Sequence, residues 1–220
     1  MPGRLILLRH GQTHSNVNRR LDTRPPGAEL TAKGRAQARE VGFELAKYSR
    51  LSTVASSVAL RAQQTAVLAV QAYEEAAGLP EGSQRIDVLP GVHEIFAGDL
   101  ELRSDEKSQL HYYQALRGWL GGDEFAATPG GETYGQVLDR FQPVLEGLVE
   151  DNLADGQEDD VLVVSHGAAI RTVAAHASGV DPDYAFASYL GNCRFIVLDP
   201  VGKEFGSWDI LRWADGDLPG

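Results

Sequence analysis

Two short, uninterrupted apolar runs dominate the pattern of hydrophobic and polar positions along the chain. They are residues 5–8 (LILL) and residues 161–164 (VLVV). Runs of this length without alternation are typical of strands that are buried on both faces of a parallel sheet. Each run is followed by a histidine-glycine pair, His10-Gly11 in the first case and His166-Gly167 in the second. In open α/β sheets, ligands bind outside the carboxyl ends of the strands, so both pairs are predicted to lie at one site.

Apolar positions at helical spacing mark five further segments. One helix is predicted to start after Thr31, a suitable N-cap, and another to stop at Gly78 and Pro80, because glycine and proline end helices. Pro143 is predicted to kink the helix that contains it. The predicted helices lie around residues 38–48, 62–73, 137–148 and 168–178, with a less clearly patterned one over 100–120.

Strands that alternate with helices predict a mostly parallel central sheet covered on both faces, which is a three-layer α/β/α sandwich. Further short strands are predicted at residues 51–56, 194–198 and 205–211, the last two joined by a turn at 199–202. No repeat or long linker divides the chain. A single domain is therefore predicted over residues 1–220.

Composition and charge narrow the possible partners. The chain has 220 residues, 43% of them apolar, which is enough for a sizeable core. With 20 basic and 31 acidic residues its net charge is −11, which disfavours nucleic acid and anionic membranes but does not exclude an anionic substrate. Cys193 is the only cysteine, so no disulfide can form within the chain. Neither a signal peptide nor a membrane-spanning run is recognisable, so a cytoplasmic location is expected.

The triplet Arg9-His10-Gly11 carries a specific chemical possibility. A neutral imidazole can attack phosphorus directly, and an adjacent guanidinium can hold two phosphate oxygens. Gly11 is expected to let backbone N–H groups come close to an anion at the start of the following helix. The alternative for the triplet alone is a histidine that merely caps the end of a strand.

Three more residues indicate a functional site only when they are considered together with that triplet. Arg61 is predicted to lie in the first turn of a helix that follows a strand, and thus at the same sheet edge. On its own it would more often be a surface charge, and Glu94 is one carboxylate among 31 acidic residues. His166 ends the second apolar run as His10 ends the first.

Together these motifs resemble the histidine phosphatase superfamily, also called the phosphoglycerate-mutase-like family. The resemblance covers residues 5–198 in the expected order and is specific when its parts are taken jointly. It rests on Arg9-His10-Gly11, Arg61 with Gln64-Thr65-Ala66, Glu94, residues 129–132 (PGGE) and residues 165–167 (SHG).

The resemblance implies a phosphohistidine mechanism that needs neither a metal nor a cofactor. His10 would become phosphorylated, while Arg9, Arg61 and His166 would bind the equatorial phosphoryl oxygens. Glu94 would protonate the leaving oxygen and then activate water. His93, its neighbour, is an unassigned histidine and the first alternative acid. The implied substrate-binding residues are Arg9, Gly11, Gln12, Thr13, Asn16, Arg61, His166 and Gly167.

The segment after the acid favours a phosphatase over a mutase. Phosphoglycerate mutases of this family carry Glu-Arg-His-Tyr-Gly there, whereas this chain has EIFAG at 94–98, so a glycerate carboxylate would lose its partners. The expected substrate is a small-molecule phosphomonoester. Phosphoglycerate-mutase-type transfer and a protein phosphatase remain alternatives, and homo-oligomerisation is possible. Ile95, Phe96 and residues 110–113 are candidates for an apolar rim of the pocket.

Overall fold

The computed structural model describes residues 3–153, 158–216 and 218. Within these residues six strands form one sheet in the order β3-β2-β4-β1-β5-β6. The strands are β1 (Leu5–Arg9), β2 (Leu51–Ser57), β3 (Ile86–Leu89), β4 (Asp160–Ser165), β5 (Phe195–Asp199) and β6 (Asp209–Trp213). The helices are α1 (His14–Val17), α2 (Ala32–Tyr48), α3 (Leu60–Ala77), α4 (Glu106–Gly121), α5 (Tyr134–Asn152), α6 (Gly167–Ser178) and α7 (Pro182–Ala187).

The register of the central strands places the two histidines side by side. β1 pairs with β4 in parallel, and Arg9 lies opposite Ser165 at the carboxyl ends. His10 and His166 therefore leave neighbouring strands at the same level. β2 and β3 continue the parallel part of the sheet, whereas β5 pairs with β1 and β6 pairs with β5 in antiparallel orientation.

Alternate side chains of β1 enter two separate apolar layers. Leu5 and Leu7 pack on the face covered by α4, α5 and α6, and Ile6 and Leu8 pack on the face covered by α2 and α3. All four are fully buried. Burial of each such side chain stabilises the fold by about 1.5–3 kcal/mol, which is why β1 is apolar at every position from Leu5 to Leu8. The predicted α/β sandwich with a mostly parallel sheet is confirmed.

Most of the predicted elements are present, with clear end signals. Thr31 caps α2 by accepting a hydrogen bond from the Gly34 N–H, and α3 ends at Gly78 in the left-handed conformation. Pro143 lies inside α5, which continues through it, and the predicted kink stays a prediction. No helix within the described residues is long and apolar enough to cross a membrane.

Two predicted boundaries are wrong. The helix expected over residues 100–120 starts at Glu106, where the Asp105 side chain accepts the Ser108 N–H as N-cap, and residues 98–100 form a 3₁₀ turn instead. The last strand starts at Asp209, not at residue 205, because residues 200–208 are irregular and contain turns at 201–202 and 205–206. The sequence patterns also missed β3 and α7 and gave no bounds for α1, the helix expected after Gly11; all three are short. The single domain over residues 1–220 stays a prediction.

Candidate active site

A cavity of about 400 Å³ opens at the carboxyl edge of the sheet. It is lined by eight of the ten predicted site residues, namely Arg9, His10, Gln12, Thr13, Asn16, Arg61, Glu94 and Gly167. Gly11 and His166 do not line it, although Gly11 contacts His10 and His166 contacts Arg61, which both do. A larger cavity of about 700 Å³ lies beside residues 188–194 and contains none of the ten. The chemistry-bearing residues therefore converge on the smaller cavity.

Arg61 joins the two histidines and fixes their tautomers. Its Nε–H points both to Nε2 of His10 and to Nδ1 of His166, at 3.2 Å each. Both nitrogens must therefore be unprotonated acceptors. The remaining ring nitrogens then donate: His10 Nδ1 to the Gly11 carbonyl and His166 Nε2 to the Ser57 hydroxyl, at 2.8 Å each. The ring centroids lie 5.1 Å apart.

Burial keeps both imidazoles neutral. His10 is 4% exposed and His166 is 0% exposed. Desolvation is the largest cause that lowers the pKa of His10 well below 6.5, and the Arg61 and Arg9 charges lower it further. The pKa of His166 is lowered well below 6.5 for the same first two reasons, burial and Arg61. His10 thus presents the lone pair of Nε2 near neutral pH.

Two buried guanidinium nitrogens beside the histidines have no acceptor for their N–H groups. Arg9 donates through Nη1 to the Tyr189 hydroxyl at 2.7 Å and to the Leu190 carbonyl at 2.6 Å, but its Nε is unpartnered. Nη1 of Arg61 is also buried without a partner, and burial lowers the pKa of Arg61. Unsatisfied buried donors are rare and need a reason. Guanidinium groups in this state are suited to bind an anion such as a phosphoryl group.

Glu94 reaches the cavity from the segment after β3, against the N-terminus of α6. Its Oε1 accepts the N–H groups of Ile95 and Ala169 at 2.9 Å each, and its Oε2 accepts that of Ala168 at 3.3 Å. Oε2 makes the single, longer contact and keeps room for another partner. The carboxyl group is therefore held in one orientation at the cavity wall.

The two motif glycines serve close packing, which corrects the expectation for Gly11. Its N–H donates to Thr65 Oγ1 at 3.0 Å and is not free to bind an anion. A Cβ at Gly11 would lie 2.6 Å from the Gly34 carbonyl oxygen, so glycine lets α2 approach the strand end. A Cβ at Gly167 would lie 3.0 Å from Arg9 Nε, so glycine there leaves space for the guanidinium.

The remaining predicted binding residues are oriented by hydrogen bonds at the start of α1. Thr13 and Asn16 form a capping box, in which each side chain accepts the backbone N–H of the other. Asn192 donates both to Asn16 Oδ1 at 3.2 Å and to the His10 carbonyl at 3.0 Å. Gln12 accepts from the Thr31 hydroxyl. Their side chains are thus fixed before any ligand binds.

The predicted apolar rim is only partly correct. Ile95 is fully buried in the core, and Phe96 stacks on His93 with ring centroids 4.8 Å apart, so neither lines the cavity. His93 is not part of the lining either, and burial lowers its pKa to about 4. From the 110–113 segment, Tyr112 and Tyr113 line the cavity.

Sequence reasoning missed several residues that complete the site. Ser57 could have been found, since it ends the strand that leads to Arg61. The others carry no local signal, because tertiary packing alone brings them to the cavity: Arg19, Arg20, Asp22, Arg171, Tyr189 and Asn192. In the part of the chain that the structure describes, no group of three or more His, Cys, Asp and Glu side chains is placed to hold a metal ion. That the reaction needs no metal stays a prediction.

The comparison with known families decides where this arrangement belongs. The sequence model of the family described as "Histidine phosphatase superfamily (branch 1)" matches residues 5–216. The chain belongs to the histidine phosphatase superfamily. It is therefore an enzyme of the phosphatase or mutase kind, and the resemblance seen in the sequence is confirmed.

Both kinds of activity occur among relatives of this superfamily member. A glucosyl-3-phosphoglycerate phosphatase of Mycolicibacterium vanbaalenii is 29% identical, over 96% of this chain and 91% of the relative. A 2,3-bisphosphoglycerate-dependent phosphoglycerate mutase of Gloeothece citriformis is 25% identical, over 82% of this chain and 86% of the relative. The solved structure of a mycobacterial glucosyl-3-phosphoglycerate phosphatase superimposes with a TM-score of 0.75 at 28% identity, covering 98% of this chain and 100% of that one.

Proposed function

We propose that this superfamily member is a phosphatase that hydrolyses a small-molecule phosphomonoester through a phosphohistidine on His10. The observation that carries the proposal is the state of His10. Its Nδ1–H is held by the Gly11 carbonyl, and its Nε2 lone pair lies at the cavity beside Arg61. A neutral, oriented imidazole next to unsatisfied guanidinium donors is prepared for attack on a phosphoryl group.

The first step transfers the phosphoryl group to the enzyme. As His10 Nε2 forms a bond to phosphorus, the bond between phosphorus and the ester oxygen breaks. Arg9 and Arg61 stabilise the charge on the equatorial oxygens. His166 joins them once its Nδ1, which accepts from Arg61 Nε in the free enzyme, carries a proton. Nε of Arg61 has to exchange its contacts with the histidines for contacts with the phosphoryl group. The Glu94 carboxyl group gives its proton to the leaving oxygen, so an alcohol is released.

The second step regenerates the enzyme. Glu94, now a carboxylate, takes a proton from a water molecule while the water oxygen attacks phosphorus. The phosphorus–nitrogen bond breaks, phosphate leaves, and Glu94 is again protonated. The overall reaction consumes one ester and one water and yields one alcohol and one phosphate, with only side chains of this chain involved.

The residues that line the cavity favour a phosphatase over a mutase, but they are also compatible with an acidic substrate. Ile95 and Ala97 stand where those mutases carry arginine and tyrosine, and both are buried apolar residues that do not line the cavity, which argues against the grip that mutases use there. Arg19 and Arg20, however, also line the cavity. They would tolerate a carboxylate, so phosphates of sugar acids, including the substrate for which the mycobacterial relatives are named, belong in a substrate screen. With a net charge of −11, nucleic acids and anionic membranes stay unfavourable partners.

A screen that measures both release and transfer tests the proposal. The purified enzyme is incubated with phosphates of sugars, sugar acids, amino acids and nucleosides, and with phosphopeptides. Free phosphate and isomerised ester are measured in parallel. We expect phosphate release from a small ester to exceed both phosphoryl transfer and phosphopeptide hydrolysis. Faster isomerisation of 3-phosphoglycerate than hydrolysis of any ester would instead establish the mutase, which the Gloeothece relative makes the second candidate.

A further inference from the structure

The motif glutamate Glu132 forms, with Arg140, an ion pair that the proposed chemistry does not use directly. Arg140 Nε donates to Glu132 Oε1 at 2.8 Å, and Arg140 Nη2 donates to Glu132 Oε2 at 2.9 Å. The two side chains are 16% and 15% exposed, so water screens the pair little. Neither residue lines the active-site cavity. Their role must therefore be exerted through other residues.

The other N–H groups of Arg140 bind the segment that carries Glu94. Nη1 donates to the carbonyls of Gly91 and His93 at 2.5 and 2.9 Å, and Nη2 also donates to the Glu94 carbonyl at 3.1 Å. With the two bonds to Glu132, all five guanidinium N–H groups of Arg140 are used. A lysine has three donors without the planar fork and cannot reproduce this set.

Glu132 holds the same segment from the other side. Its Oε2 accepts the Phe96 N–H at 2.8 Å, and its own N–H donates to the Phe96 carbonyl at 3.2 Å. Residues 90–97 belong to neither a helix nor a strand. No ladder of backbone hydrogen bonds therefore positions them. At Gly91, a Cβ would lie 2.5 Å from the Arg140 carbonyl oxygen, so the glycine permits this close contact with α5.

We propose that the Glu132–Arg140 pair positions Glu94 for proton transfer by clamping the backbone on both sides of it. Both are positioning residues, and the inference rests on the proposed role of Glu94. Loosening the clamp would move the carboxyl group relative to the cavity while Arg9, His10, Arg61 and His166 stay in place. A displacement of about 1 Å can cost about 10²-fold in rate. The loss should affect the step in which Glu94 gives a proton.

The test compares Arg140→Lys with a matched control, Arg4→Lys. Arg4 is 17% exposed and pairs with Asp160 through Nε and Nη2, much as Arg140 pairs with Glu132, but it lies at the amino end of β1. We expect kcat/KM of Arg140→Lys to fall about 10–100-fold for alkyl phosphates but little for p-nitrophenyl phosphate, whose leaving group needs no proton. Inhibition by inorganic phosphate should be unchanged. Arg4→Lys should show no dependence on the leaving group.

A double variant separates this inference from the proposed function. If Arg140 acts through Glu94, then Arg140→Lys should reduce kcat/KM no further in a Glu94→Gln background. Two results would overturn the proposed positioning role. One is full additivity of the losses in kcat/KM caused by Arg140→Lys and Glu94→Gln. The other is an equal loss on alkyl and aryl esters in Arg140→Lys. If Glu94→Gln itself shows no dependence on the leaving group, the assignment of Glu94 as the acid fails instead. Glu132→Gln, which keeps one acceptor oxygen, should show the same selectivity with a smaller loss.

Discussion

β1 and β4 run side by side, and arginines that are buried or largely buried stand at both ends of the pair. At the amino end, Arg4 donates to Asp160 from its backbone N, Nε and Nη2, and Nη2 also donates to the Tyr48 carbonyl. At the carboxyl end, Nε of Arg9 and Nη1 of Arg61 are buried without an acceptor. The same residue type is thus paired with a carboxylate at one end and keeps buried donors without an acceptor at the other.

The difference indicates that the arginine at the amino end stabilises the fold, whereas those at the carboxyl end serve the active site. A buried cation with a matched carboxylate contributes to a defined fold, although the desolvation of both groups offsets much of the attraction. A buried cation with spare donors costs stability, and proteins keep such groups where a ligand or transition state needs them. The carboxyl end is therefore the part of the sheet where we expect substitutions to cost activity instead of stability.

The largest expected effect comes from removing His10 at the carboxyl end. His10→Ala should lower kcat by about 10⁴-fold or more, because no other neutral, oriented nucleophile lines the described cavity. The free energy of unfolding should change little. His14→Ala, which removes an exposed histidine four positions later, is the control and should retain activity. Near-normal turnover by His10→Ala would show that the phosphoryl group does not pass through this residue.

Substitution of one arginine at each end with methionine sharpens the comparison. Arg61→Met should lower kcat/KM by about 10²–10³-fold and change the free energy of unfolding by less than about 1 kcal/mol. Arg4→Met should leave kcat/KM intact but cost about 3 kcal/mol, because it leaves the Asp160 carboxylate, 2% exposed, without its cation. Urea titrations and steady-state kinetics measure both. The comparison would be wrong if the two variants lost stability equally.

Acid should weaken the carboxyl end of the sheet. Since burial lowers the pKa of His10 and of His166 well below 6.5, the unfolded chain binds more protons than the folded one below that pH. The two neutral, buried histidines contribute fully to the free energy of unfolding above pH 6.5. This contribution is lost as the pH falls from 6.5 toward their pKa values in the folded protein. Each histidine then adds a slope of about 1.4 kcal/mol per pH unit to the free energy of unfolding. His10→Ala should show a slope shallower by that amount, and an unchanged slope would contradict the assignment.

The smallest expected effect tests whether Arg61 needs the space that Gly27 leaves. Gly27 has φ +69°, and a Cβ there would lie 2.2 Å from Arg61 Nη1. Gly27→Ala should lose about 1 kcal/mol from backbone strain and about 10-fold in kcat/KM. Gly82, with φ +74° and nothing within 4 Å of a Cβ, is the control: Gly82→Ala should show the strain without the kinetic loss. Equal kinetics in both variants would refute the need for this space.

The parts that could be read from the sequence are those where one physical requirement acts locally. Burial on both faces demands unbroken apolar runs, so β1 and β4 were predictable, and parallel pairing then brought His10 and His166 together. β3 was missed because its side chains are only partly buried and its sequence, IDVL, is not continuously apolar.

The rest depends on contacts between distant segments. Gly11 was expected to serve an anion, yet the neighbour that requires glycine is the Gly34 carbonyl, which no local pattern reveals. Ile95 was a candidate for the pocket rim, but it is fully buried in the core among residues from distant segments. Likewise, Glu132 was recognisable as part of a motif, whereas only the structure shows that Arg140 is its partner.

The most direct test of the central claim is to trap the phosphorylated enzyme and locate the phosphoryl group. The enzyme is mixed with an aryl phosphate, denatured within milliseconds, and digested for mass spectrometry under alkaline conditions that preserve phosphohistidine. We predict one phosphoryl group on Nε2 of His10, absent from His10→Ala and more abundant in Glu94→Gln, where water activation is slow. A phosphoryl group on any other residue, or turnover of His10→Ala with a phosphoenzyme still present, would contradict the account.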